Sequence, residues 1–514
     1  MFYRRAFRWG IGTAILSVSL ASLYKNKWDV STIGFLRFGR AAVTVTKIAV
    51  DYKWSLKGLD VNSQQYEQLK SEVHFRSAQK LLDLCCKNGG AFIKVGQHIG
   101  ALNYLLPYEY VSTLKVLHNK APKASIKDVL HVVQEDLGDE ALKIFKTFEP
   151  EPLGAASLAQ VHLATLQDDT KVAVKVQHKN VQAHAKVDMA TMELLVNIVA
   201  WLFPEFTFMW LAEETKRNLP LELDFIHEGH NAERVGKMFS SLTWLKVPRI
   251  YWDLSTSRVL TMEYCSGGQV DDNDYIRRNN ISAAEVSKKL GELYSQMIFV
   301  QGYVHCDPHP GNILVQKDEA SNEVKVVLLD HGLYTNLTDQ FRIDYCNMWL
   351  ALMKADVKGV EHYGHKLGVG ELYALLACMI TARSWTAVTK GIEKHKPTTE
   401  EKKEIRDNAA NYLPEITTVL SKVPREMLLI FKTNDLLRGI EGSLGVKGAA
   451  GSFIAMSKCC IKAVYEEQMK SCKSFLSSLK ITFARSLAFS RIIIYQYYLW
   501  FINLSIVSKV GILS

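Results

Sequence analysis

The segment from residue 305 to residue 332 constrains this chain more than any other. It reads His305-Cys306-Asp307-Pro308-His309-Pro310-Gly311-Asn312, and eighteen residues after Asn312, following the apolar run 326–329, comes Asp330-His331-Gly332. Residues 312–316 and 324–329 have strand composition, so the sequence predicts an acid-bearing loop, a strand pair and a second acid in fixed order. Upstream, Val172-Ala173-Val174-Lys175 places a lysine inside an apolar run. Residues 159–165 and 171–177 favour β structure and flank the turn-like Asp168-Asp169, which predicts a hairpin with Lys175 on its second strand. Alone, such a lysine would read as an ordinary edge-strand residue; the ordered loop, strand and Asp-x-Gly give it meaning.

Helical periodicity dominates elsewhere. Residues 31–146 repeat apolar positions at helical spacing, as in 66–86, and predict a helical unit. A helix is expected within 210–239, with Asn218 as N-cap, Pro220 in the first turn and Glu222 and Asp224 near the start, where the helix dipole favours acids. Strand-like pieces follow at 245–251 and 258–263, and helices return from residue 283 onward. At 514 residues the chain exceeds what one core organises. We therefore expect an α+β fold in which a small mixed lobe precedes a larger helical lobe. The expected boundaries are a terminal segment 1–28, a helical extension 29–146, lobes at 147–265 and 266–460, and a helical tail 461–514.

Composition removes several function classes. A formal charge of +9 is modest for this length, and Lys and Arg are scattered without interleaved aromatics, so no nucleic-acid surface is expected. The nine cysteines include Cys85-Cys86 and Cys459-Cys460 but no C-x-x-C, which suits free thiols in a reducing compartment. Zinc on His305, Cys306 and His309 is a rival reading of the loop. It lacks a second ligand cluster and leaves Asn312 and Asp330 unexplained. Neither a G-x-S-x-G elbow nor a G-x-x-x-x-G-K-[ST] loop occurs.

The N-terminus carries Arg4, Arg5, Arg8, Lys25 and Lys27 and no acid before Asp29, as mitochondrial targeting segments do. Trp9 to Tyr24 is uncharged and short for a span. A presequence, a short inner-membrane anchor and a secretory signal all remain open, in that order. A second uncharged run, 492–507, reads as a buried or interfacial helix at least as well as a span.

Phosphoryl transfer requires a cation on the phosphates, ligands for one or two Mg ions, and an acceptor for the attacking group's proton. Lys175 fits the V-A-I-K pattern of protein kinases, Asp307 and Asn312 fit the catalytic-loop D-x-x-x-x-N, and Asp330 fits the metal-binding acid of D-F-G. Beyond these generic motifs, Lys94-Val95-Gly96-Gln97 fits a K-x-G-Q motif. Leu153, Gly154, Ala155, Ala156, Ser157, Leu158, Ala159, Gln160 and Val161 form an alanine-rich loop, and Glu222-Leu223-Asp224 an E-x-D motif followed by Glu228. Over roughly residues 30–470 the sequence resembles the ABC1/UbiB/aarF-domain family of atypical kinases.

That resemblance implies a two-lobed kinase-like fold with a helical N-terminal extension, using ATP and Mg. It implies nucleotide contacts from the alanine-rich loop, Lys175 and Glu228, a catalytic Asp307, metal ligands Asn312 and Asp330, and regulatory roles for Lys94, Gln97, Glu222 and Asp224. It further implies a mitochondrial, inner-membrane-associated protein tied to lipid or quinone homeostasis. We expect Glu228 to pair with Lys175, with Glu222 as competitor. On one continuous helix Asp224 and Glu228 share a face and Glu222 does not, so all three acids need a bend to reach one pocket; a solvated face is the plain alternative. The Cβ atoms of Ala155 and Ala156 restrict a backbone where glycines are usual, which implies altered nucleotide affinity; a merely different turn is the alternative. Little chain separates Gly332 from a helix expected near Asp339, and no A-P-E follows, so a small or lipid-like phosphate acceptor, or plain ATP hydrolysis, suits the sequence better than a docked protein. A nucleotide-responsive scaffold without phosphoryl transfer is the competing class.

Overall fold

The computed structural model describes residues 34–60, 63–100, 106–118, 123–203, 209–318, 321–390, 413–446, 450–472 and 474–510. The targeting segment read from the first 28 residues lies outside them. The chain divides into two compact units, one running to Glu233 and including Arg249–Tyr264, the other comprising Arg234–Pro248 and the chain from Cys265 onward.

In the first unit, helices α1 (Gly34–Ser55), α2 (Gln64–Asn88) and α3 (Ala91–Gly100) build the extension. Ser63 caps α2 by accepting the Tyr66 N–H, and Gly89, at φ +67°, ends it. Arg37 on α1 binds Asp188 at 2.7 Å and the Asn88 carbonyl at 2.5 Å, all buried. Asp188 belongs to helix α5 (Val181–Leu202), so this buried charge fixes α1 against α5. Leu84, Phe92, Leu114, Leu117, Leu195 and Leu219 fill the core beneath.

The sheet of this unit has five strands, among them β1 (Phe145–Phe148), β2 (Gly154–Ala155), β3 (Ala159–Leu166) and β4 (Lys171–Gln177), with Val259–Glu263 antiparallel to β4. The expected hairpin is present: β3 and β4 pair from Ala159↔Gln177 to Thr165↔Lys171, and Asp169 takes φ +65° in the turn. Alternation along β4 sends Val172, Val174 and Val176, each fully buried, to one face, where Val129, Val132 and Val133 of α4 (Ile126–Leu137) cover them. Burying each valine contributes roughly 1.5–3 kcal/mol. A one-residue slip would turn Lys175 into that apolar layer, so packing fixes the lysine's face.

The second unit holds a four-stranded sheet in which β5 (Ile313–Lys317) and β6 (Val324–Leu328) pair antiparallel, as the sequence predicts. Helix α8 (Ala283–Ser295) packs behind them, with Leu290, Leu293, Ile313, Val315, Val326 and Leu328 in one cluster. Tyr303–His305 pairs with Tyr334–Asn336, so the chain after Gly332 becomes a short strand and then helix α9 (Asp339–Met353), capped by Thr338. Helices α10 (Arg425–Ser443), α11 (Ala450–Lys470) and α12 (Phe475–Val510) follow. Among the described residues no helix is long and apolar enough to cross a membrane.

Candidate functional site

Register delivers Lys175 to the face of β4 away from α4. There its Nζ meets Glu228 Oε1 at 2.6 Å and Oε2 at 2.9 Å. Glu228 is 2% exposed and the Lys175 side chain 12%, and Nζ sits 5.1 Å from the Phe225 ring centre. Glu222, the competing partner, binds Lys94 instead: Nζ to Oε2 is 2.6 Å, with both side chains about nine-tenths buried. Two acids of one motif region thus serve two lysines.

The bend that allows this differs from the expected helix. Pro220 lies in the last turn of helix α6 (Met209–Glu222), and a separate helix α7 (Phe225–Met238) begins after Leu223–Asp224. Asn218 stands inside α6 and not at a helix start: it is buried and donates to Glu214 at 2.6 Å. Asp224 starts α7, its Oδ1 accepting the Ile226 N–H at 3.1 Å. Tertiary contacts fix the break. The Leu223 carbonyl accepts Gln177 Nε2 at 2.7 Å and Gln182 Nε2 at 3.0 Å, and the Phe225 N–H donates to the Ser257 carbonyl. These side-chain amides satisfy groups a helix break would leave bare.

The K-x-G-Q segment lies on α3. Gly96 is required there, because a Cβ at this position would stand 2.4 Å from Leu117 Cδ1 and 3.1 Å from Cys85 Sγ. Gln97 Nε2 donates to the Leu117 carbonyl at 3.0 Å, anchoring the segment one residue beyond the close contact.

The alanine-rich loop is a tight hairpin. Gly154 and Ala155 pair with Val161 and Gln160, and the Ala156 N–H donates to the Ala159 carbonyl at 2.8 Å. Its tip is held from below: Ser157 and Leu158 are buried, Leu158 in the core of the helical extension, and the His178 N–H donates to the Leu158 carbonyl. Gln160 Oε1 accepts the Ala124 N–H, and its Nε2 meets His162 Nε2 at 2.8 Å. Burial pushes His162 below its ordinary value, against the bond its Nδ1–H makes to the Glu149 carbonyl. Packing of Leu158 and the bonds of Gln160 tie this loop to the helical extension and to residue 124.

In the second unit the β5–β6 pair aligns the metal candidates. Ile313 faces Leu328, and one step beyond, the Leu329 N–H donates to the Asn312 carbonyl at 3.0 Å, so Asn312 and Asp330 emerge from the same end of the pair. Asn312 gives its side-chain nitrogen to the Asp307 carbonyl at 3.2 Å, which turns its side-chain oxygen the opposite way. Asp330 Oδ1 accepts the Gly332 N–H at 3.0 Å. One amide oxygen and one carboxylate are hard donors of the kind Mg takes alongside phosphate and water oxygens. The zinc reading finds no support. His305 Nδ1 bonds Tyr294 at 2.7 Å, Cys306 is fully buried with Sγ toward the Val304 carbonyl, and His309 Nδ1 accepts the Gly311 N–H. Among the described residues no group of three or more His, Cys, Asp or Glu is placed to hold a metal.

Asp307 itself has a partner that motif reading missed: Lys432 Nζ lies 3.0 Å from its Oδ1, with the two side chains 17% and 23% exposed. Lys432 sits on α10, and no local pattern marks it out.

Residues 116–364 match the ABC1 atypical kinase-like domain. AarF domain-containing protein kinase 1 of Gallus gallus is 52% identical over 498 residues, spanning 97% of this chain and 96% of its own. AarF domain-containing kinase 1 of Drosophila melanogaster is 51% identical over 471 residues, 91% of each. A solved structure from Mycobacterium tuberculosis, described as a complex with erythromycin, aligns over 74% of this chain and 94% of its own, at 19% identity and a TM-score of 0.46.

Proposed function

This chain belongs to the ABC1 atypical kinase-like family, and from that premise we propose that it is an Mg-ATP-dependent phosphotransferase or ATPase of mitochondria. The observation that carries the reading is the buried Lys175–Glu228 pair at 2.6 Å. A lysine held on a strand by a buried glutamate is the arrangement that aims an ammonium at nucleotide phosphates in protein kinases. In this reading Lys175 binds the phosphates, the hairpin around Ala155 and Ala156 covers the nucleotide, and Asp307 orients the attacking hydroxyl or water and accepts its proton. Asn312 and Asp330 hold the metal, which when bound neutralises charge developing on the transferred phosphoryl. Lys94, paired with Glu222, restrains the E-x-D region and restricts which acceptors enter.

The membrane half rests on α12. Its 36 residues contain no acid and carry Lys480, Arg485, Arg491 and Lys509, while Phe475, Leu476, Leu479, Phe483, Leu487 and Ile494 stand exposed. A basic helix with an exposed apolar stripe suits the surface of an anionic bilayer. Association with the mitochondrial inner membrane, and a lipid or quinone acceptor, follow as parts of the same proposal. A nucleotide-responsive scaffold is favoured by one feature: the short strand Tyr334–Asn336 runs almost directly into α9, with little chain to dock a protein substrate. The deciding experiment measures ATP turnover by the full chain on vesicles containing anionic phospholipid, beside Asp307→Asn. Turnover at least a hundredfold above Asp307→Asn supports catalysis. Equal, near-zero rates with intact nucleotide binding support the scaffold.

A further inference from the structure

The acidic loop of this protein contains no lysine or arginine of its own. Residues 301–316, which include Asp307 and Asn312, hold neither lysine nor arginine, and neither do residues 326–341, which include Asp330. A carboxylate meant to orient an attacking group must be fixed in one rotamer and kept ionised. Here one such cationic partner comes from α10, far along the chain.

Three contacts place it. Leu429 on α10, 5% exposed, forms a buried cluster with Cys306 and Leu333. Cys306 immediately precedes Asp307, and Leu333 immediately follows Gly332, so one leucine grips both acidic segments. The Cys306 N–H also donates to the Leu333 carbonyl, tying the two strands of chain together under it. Lys432 follows Leu429 by three residues and shares its helix face. Its Nζ therefore arrives at 3.0 Å from Asp307 Oδ1. Thr433, fully buried, bonds back to the Leu429 carbonyl at 2.9 Å within the same turn of α10.

We propose that Lys432 is the positioning residue for Asp307: its ammonium pins one carboxylate oxygen and thereby sets the orientation in which Asp307 meets the attacking hydroxyl or water. The role rests on the catalytic reading of Asp307 given above. It extends the working set of this chain beyond the loop and Asp-x-Gly motifs to a helix that begins more than ninety residues after Gly332. Misplacing a catalytic group by about 1 Å can cost a hundredfold in rate, so the pin is consequential even though Lys432 performs no chemistry.

The test compares Lys432→Met, Lys432→Gln and Lys432→Arg in the full chain, reading kcat and KM for ATP separately, with amide exchange across α10 as a check on folding. Methionine keeps the length and apolar stem of lysine, so packing on Leu429 survives. The expected result is a ten- to hundredfold loss of kcat in the Met and Gln variants, with KM for ATP within twofold of wild type and recovery to within about fivefold in Lys432→Arg. A structural role alone would let methionine substitute and would make arginine no better than glutamine; that pattern overturns the proposal while leaving catalysis intact. Wild-type protein that binds Mg-ATP but does not turn it over overturns the catalytic reading and this role together.

Discussion

Removing the charge of Lys175 should destabilise the sheet that carries it before any question of catalysis arises. Lys175→Met keeps the stem length but leaves Glu228, 2% exposed, without its main cationic neighbour. Breaking a buried pair from one side costs about 3–5 kcal/mol, because the remaining charge keeps its desolvation penalty and loses its compensation. Replacing both members with apolar groups of similar volume removes the penalty too, so Lys175→Met/Glu228→Met should recover most of the loss. Hydrogen exchange of the β3 and β4 amides reads this locally, where global denaturation of a chain with two units would not. A loss of about 3 kcal/mol accelerates exchange roughly a hundredfold, at tenfold per 1.4 kcal/mol. We expect that acceleration in Lys175→Met, and exchange within about tenfold of wild type in the double variant. Wild-type exchange in the single variant, or a double variant as labile as the single, would refute the view that the pair is a buried, mutually dependent charge couple. Inactivity of a Lys175 variant would then need this control before being read as lost phosphate binding.

Gly96→Ala forces a methyl onto Leu117 and Cys85 and should lower stability by about 1–3 kcal/mol, read as a lower thermal midpoint and partly recovered by Leu117→Val. Asp224→Ala removes the side chain that opens α7; about 1 kcal/mol should be lost, visible as faster exchange in the first turn of that helix and not in α6. His162 is held below its ordinary value by burial, so the unfolded chain takes up the proton first on acidification. Its contribution is complete above the unfolded pKa of about 6.5 and declines as pH falls beneath it, by up to about 1.4 kcal/mol per pH unit. Exchange from β3, corrected for intrinsic rates, should therefore quicken between pH 6.5 and 5.5 in wild type and less so in His162→Gln. Ala155→Gly should change affinity for adenosine nucleotides; identical titrations of variant and wild type would show that its methyl does not matter.

Periodicity and turn chemistry carried much of the architecture. Alternation in residues 171–177 and the Asp168-Asp169 turn define the β3–β4 hairpin, and the strand composition of 313–317 and 324–328 defines the pair from which Asn312 and Asp330 emerge. The expectation that Glu228 pairs with Lys175, with Glu222 as competitor, came with the family resemblance and not from helix spacing, and the two side chains meet at 2.6 Å. The break between α6 and α7 was placed too early, at Asn218, because its cause lies in carbonyl and amide partners on other elements: Gln177, Gln182 and Ser257. Proline marks where a helix has trouble, and here it marks the end of one helix, not the start of the next. The fixed shape of the alanine-rich hairpin depends on Leu158 reaching the extension's core, and Lys432 reaches Asp307 only through the packing of α10. Neither contact has a local sequence signal, since both join segments that meet only after the chain has folded.

The proposed activity requires Mg-dependent nucleotide binding, with Asp330 among the metal ligands. Calorimetric titration of the full chain with ATP, with and without Mg, beside Asp330→Asn, tests it most directly. Saturable binding that strengthens at least tenfold with Mg in wild type, and loses that Mg dependence in Asp330→Asn, is the predicted result. Wild-type protein that takes up no ATP in the presence of Mg, or an Asp330→Asn variant with the same Mg-dependent affinity as wild type, would contradict the account.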